Sequence, residues 1–183
     1  GYGGSAHEAP PVTPAVIAAR GWTTWGGPNG VAAKALSATV DPVVKAGDTV
    51  FLRAYSGKHV DAEGDVLRAR RQLYGSKQTF RIERYETGAV KPGDTVYLMA
   101  STGMRVSVEG DAVRAVSRQR GPYQAFIVER QGDALGPLRA GDTIFFRAHT
   151  GKYIDVVGET VQARFEKKGG WQGLVILKQR SSY

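Results

Sequence analysis

The side chains that could do chemistry are few, and their spacing argues for binding rather than catalysis. His7, His59 and His149 stand far apart and fall on no metal-ligand spacing. The chain has no cysteine, which removes thiolate ligands, a thiol nucleophile and a disulfide framework together. Neither a Gly-x-Ser-x-Gly elbow nor a phosphate-cradling glycine loop occurs. Asp61, Glu63 and Asp65 alternate like the start of a calcium loop, but the later ligand of such a loop is missing, so a hairpin with outward carboxylates is the alternative. The expectation is therefore a protein that is not an enzyme, with no catalytic residue, no metal and no cofactor.

Cations are the more numerous candidates. Arg70 and Arg71, then Arg118 and Arg120, then Arg164, Lys167 and Lys168 recur along the chain, and the formal charge is +8. Brought together, they would make a surface for sulfated or uronic polysaccharide or nucleic acid, held by contacts that weaken with salt. Separated, they are solvated loop charges. No helix or nucleic-acid module is visible to read bases, so sequence-specific nucleic acid is not expected. A basic surface also suits a membrane face or an acidic protein.

What positions these residues is a repeat. Gly47-Asp48-Thr49 returns as Gly93-Asp94-Thr95 and as Gly141-Asp142-Thr143, at intervals of 46 and 48 residues. Segments 47–84, 93–130 and 141–178 align without gaps, sharing also the alanines, glycines and glutamine of Ala54, Gly57, Gly64, Ala69, Gly75 and Gln78. Each holds four alternating runs. Val50, Leu52 and Ala54 open the first segment on one face, followed by Val60 with Ala62, Leu67 with Ala69, and Phe80 with Ile82. Glycines at 64, 110 and 158 supply hairpin turns. Twelve strands and no helical period predict an all-β chain. Three units cannot close a propeller, which needs about 4–8 blades, but they can close a barrel capped by hairpins. The expected fold is a β-trefoil of three four-stranded repeats with pseudo-threefold symmetry, in which Gly-Asp-Thr forms the turn into each first strand.

The succession Ser-Gly-Lys-His-Val-Asp-Ala-Glu-Gly, Arg-Ala-Arg and Gly-Ser-Lys-Gln-Thr-Phe-Arg-Ile-Glu resembles the repeat of fascin-like β-trefoils over about residues 46–180. A weaker likeness runs to ricin-type lectins, whose Gln-x-Trp element would be Gln78-Thr79-Phe80, Gln124-Ala125-Phe126 and Gln172-Gly173-Leu174. The lectin likeness implies a sugar site built from an Asp and a downstream aromatic, the ring stacking on a pyranose and the carboxylate accepting hydroxyl hydrogen bonds. It pairs Asp155 with Trp171. Asp61 with Lys77 lacks the aromatic, and Ser107 with Tyr123 lacks the acid. The alternative is that Trp171 and Tyr123 pack against the barrel.

Residues 1–45 carry no repeat and are rich in Pro, Gly and Ala, which predicts an irregular extension before a domain at 46–183. Its Trp22 and Trp25 could lid the barrel or meet a ligand. The first residue is Gly rather than Met, which suggests a processed product. No apolar run approaches the roughly 20 residues of a membrane span, and the compartment stays open. The sequence thus supports a carbohydrate-binding module, for which the positive charge admits anionic glycans without selecting them. The fascin likeness implies an alternative partner, actin or another protein, and an inhibitor or toxin domain is a lesser one.

Overall fold

The computed structural model describes residues 41–179. Trp22, Trp25 and His7 lie outside them. Twelve strands follow in order: β1 Thr49–Arg53, β2 His59–Glu63, β3 Val66–Arg71, β4 Phe80–Glu83, β5 Thr95–Ala100, β6 Arg105–Glu109, β7 Ala112–Ser117, β8 Phe126–Arg130, β9 Thr143–Arg147, β10 Tyr153–Val157, β11 Thr160–Phe165 and β12 Leu174–Lys178. They stand where the alternating runs predict them, because one side of every run is apolar and must leave water. Val50, Leu52, Val60, Ala62, Leu67, Ala69, Phe80 and Ile82 are all buried in one core with their counterparts further along the chain.

The expected β-trefoil of three four-stranded repeats is corrected by the sheet organisation. One closed antiparallel barrel of ten strands runs β1, β2, β3, β11, β7, β6, β5, β8, β9, β12 and back to β1. Strand β4 bridges β1 and β5, and β10 bridges β9 and β11. The reason lies in the register. Strand β4 pairs with β5 over four residue pairs, from Phe80 opposite Ala100 to Glu83 opposite Tyr97, but with β1 of its own segment over only two. Strands β8 and β9, and β12 and β1, are joined at the same length. The segments therefore do not close on themselves, and the fourth strand of each finds its longer ladder in the first strand of the next.

Two rings of backbone hydrogen bonds seal this barrel. Val44 N–H donates to Leu138 O at 2.9 Å, Leu138 N–H to Val90 O at 2.8 Å, and Val90 N–H to Val44 O at 2.9 Å. All three side chains are fully buried, so the last residues of the supposed extension belong to the core. Elsewhere Ala69 N–H donates to Glu159 O, Ala115 N–H to Asp65 O and Ala163 N–H to Asp111 O, at 2.9–3.0 Å. This second ring locks β3, β7 and β11 side by side.

Candidate functional site

Gly-Asp-Thr is a clamp. Asp48, Asp94 and Asp142 each accept the backbone N–H three residues earlier, from Lys45, Lys91 and Arg139, at 2.7–2.8 Å. Each also meets a cation from a fourth strand or its end: Lys178 at 3.1 Å, Arg84 at 2.5 Å and Arg130 at 3.3 Å. The preceding glycines have φ of 94–96°, which a side chain resists even though nothing lies near enough to clash. The glutamines are structural too. Gln78, Gln124 and Gln172 are buried, and each accepts the N–H of the glycine three residues earlier at 2.8–2.9 Å.

The Asp155 and Trp171 pairing does not make an open sugar pocket. Asp155 is fully buried, and Arg164 closes on it with Nη2 at 2.9 Å from Oδ1 and Nε at 3.3–3.4 Å from both oxygens. The Arg164 backbone N–H adds a bond to Oδ2 at 3.1 Å. Burial raises this carboxyl's pKa despite the guanidinium, which acts the other way. Trp171 is half-buried, and its carbonyl accepts the N–H of Val156. Tyr123 stays exposed, edge-on to His149 at 4.8 Å between ring centroids, while Ser107 is buried and accepts a hydrogen bond from Gln124.

Nor do the recurring cations form an open ring. Arg70 holds Asp61 at 3.3 Å and Glu63 at 2.5 Å. Arg120 lies 3.4 Å from Glu83 and over the rings of Tyr85 and Tyr97. Lys168 pairs with Glu129 at 2.8 Å. Burial would raise Glu83 and Glu129, but the facing cations outweigh it and hold both carboxyls below the usual range. Arg71 and Arg118 are exposed and form no ion pair among the described residues, and Lys167 is exposed.

The open polar surface lies elsewhere, over the second backbone ring. A depression of about 560 Å³ is lined by Arg68, Arg114, Asp65, Glu159, Thr160 and Gln162, among others. The four charged side chains are exposed, and none forms an ion pair among the described residues. Arg68 stands opposite Thr160 and Arg114 opposite Val66 in the ladders. Neither arginine stands out in the cation clusters. The available signal was their equivalence in Leu67-Arg68-Ala69, Val113-Arg114-Ala115 and Val161-Gln162-Ala163, where the middle residue must point away from the core.

No group of three His, Asp or Glu side chains able to hold a metal occurs among the described residues, and no helix there is long and apolar enough to cross a membrane.

No family model and no curated protein matches the chain. Among solved structures, a Caenorhabditis elegans protein of unknown function is similar at a TM-score of 0.66 and 14% identity, over 75% of this chain and 97% of that one. The SDF2-like protein from Arabidopsis thaliana is similar at 0.61 and 10% identity, over 73% of this chain and 94% of its own. These likenesses concern the fold alone. They replace the fascin-like and ricin-type kinship drawn from the sequence, and the roles which that kinship lent to Asp155, Trp171, Asp61 and Tyr123 lose its support.

Proposed function

We propose that this protein is a non-enzymatic binding module for neutral carbohydrate, with Arg68, Arg114, Thr160 and Gln162 at the centre of its site. The observation that carries the proposal is the depression on β3, β7 and β11, where guanidiniums, carboxylates, an amide and a hydroxyl converge without ion-pairing to one another. A pyranose presents hydroxyls that donate and accept at once, so a wall with both kinds of group can satisfy it. The firm floor limits the entropy lost on binding, since three backbone hydrogen bonds hold the strands.

Charge decides between neutral and anionic glycans. Although the chain as a whole is basic, Asp65 and Glu159 stand beside Arg68 and Arg114, and a sulfated chain would meet both signs. The clusters around Arg70, Arg120, Arg164 and Lys168 are already matched by carboxylates. Actin as partner rested on the fascin likeness and goes with it.

A glycan array of neutral and sulfated oligosaccharides, read with the full chain at low and high salt, tests the proposal. Neutral glycans should bind with little salt dependence, and the double variant Arg68→Ala, Arg114→Ala should lose about tenfold or more in affinity while keeping its melting temperature. Silence on every glycan, or binding confined to sulfated chains that disappears with salt, would overturn it.

A further inference from the structure

The central depression has neighbours with which it shares walls. Val66 and Arg68 also line a hollow of about 260 Å³ with Glu63 and Arg70. Ala112 and Arg114 also line one of about 420 Å³ with Ser107, Glu109 and Val116. The three make a continuous furrow from β2 and β3 across to β6 and β7. Val66 and Val116 are 41% and 42% exposed along it, giving apolar patches for the C–H faces of sugar rings.

One flank of the furrow has an unfinished ion pair. Asp61 is buried at 1% exposure, yet its Oδ2 has no hydrogen-bond partner, and neither has the buried Nε of Arg70. These are the atoms that a two-pronged fork would join, as Nε and Nη2 of Arg164 do on Asp155. Here only Nη2 reaches Asp61, at 3.3 Å, because Glu63 draws the same nitrogen to 2.5 Å. Val157 stands at the matching position beside Asp155 and offers no such competition. An unmade donor and an unmade acceptor in one ion pair suit a hydroxyl group, which accepts from the one and donates to the other once the partly exposed Arg70 side chain shifts to admit it.

We infer that the ligand is an extended neutral glycan lying along the furrow, with one of its hydroxyls seated between Asp61 and Arg70. The inference rests on the carbohydrate reading above and adds to it both the length of the ligand and its anchor. Single sugars reach only the central depression. Longer oligomers reach the flank as well.

Titration calorimetry of the full chain with one neutral homologous series, from the monosaccharide to longer linear oligomers, separates the two claims. The longer members should bind about tenfold tighter than the shortest. Glu63→Val frees Arg70 to close on Asp61, so it should remove that gain while leaving the shortest binder unchanged. Val116→Asp, at the opposite flank, should reduce the gain without touching the fork. Equal affinity across the series, or a gain that survives Glu63→Val, overturns the inference and leaves the central site standing. Absence of binding by every member removes both.

Discussion

The β2–β3 and β10–β11 hairpins place an aspartate and an arginine in matching positions, and treat them in opposite ways. Asp155 and Arg164 are closed on each other, with the Arg164 side chain 19% exposed and the carboxylate hidden. Asp61 and Arg70 are splayed by Glu63, and the aspartate is left with one oxygen unpartnered. A single exchange two residues along the strand, Glu63 for Val157, separates a structural pair from one with bonding capacity to spare. A buried carboxylate costs much unless its oxygens are satisfied. The third segment meets that requirement internally, and the first leaves part of it for a ligand.

The two segments differ also around their outer aromatics. The first packs His59 against Tyr74 at 4.5 Å between centroids, with Arg53 Nε donating to His59 Nε2 at 3.2 Å and Nδ1 donating to Leu73 O at 2.7 Å. The third puts Tyr153 and Lys168 at the equivalent positions, both bonded to Glu129. One site shuns a proton and the other needs a carboxylate to have lost one.

The largest effect should come from breaking the closed pair. Arg164→Met leaves Asp155 buried without its cation and should cost about 3–5 kcal/mol in a denaturant melt. A loss within error would mean that the pair is ornamental and the contrast with Asp61 empty. Next in size is acid. Burial depresses His59 to about 4, from the 6.5 it would have unfolded, so below pH 6.5 the unfolded chain binds the extra proton. Stability present above pH 6.5 should fall as pH drops to about 4, by roughly 3 kcal/mol. In His59→Asn melts recorded across that window, the slope should be nearly flat. An unchanged slope would place the titration elsewhere.

Glu129 should act at lower pH. Its folded carboxyl lies below its ordinary 4.5, so its contribution is present above that value and is lost as pH falls through the folded one. Glu129→Gln should lessen the stability lost below pH 4.5 and leave the range above it unchanged. Smallest is the effect of Glu63→Val on the fold itself, a slight rise in melting temperature as Arg70 closes on Asp61. A fall would show that Glu63 supports the hairpin instead of competing within it.

Much of this was legible in the residues. Alternation named the strands and their buried faces, since Val50, Leu52, Phe80 and Ile82 leave no other stable choice. Gly-Asp-Thr read correctly as a turn, but its cations did not, because Lys178 reaches Asp48 only once β12 lies against β1. The long ladders between segments were likewise hidden, and with them the closed ten-strand circuit. At the site, alternation showed that Asp61 and Asp155 could face outward from the core. It could not show that a neighbouring arginine would cover one and be diverted from the other, which depends on side-chain reach across strands. Arg68 and Arg114 are unmarked in the sequence because each interrupts apolar residues singly, and they come together only where β3, β7 and β11 meet.

A crystal structure of the full chain with the tightest-binding neutral oligosaccharide tests the central claim most directly. The account predicts a sugar chain lying against Arg68 and Arg114, with a hydroxyl between Asp61 Oδ2 and Arg70 Nε and the Asp155–Arg164 pair unchanged. A sugar bound instead at Trp171, at Tyr85 or at any surface away from β3, β7 and β11 would contradict it.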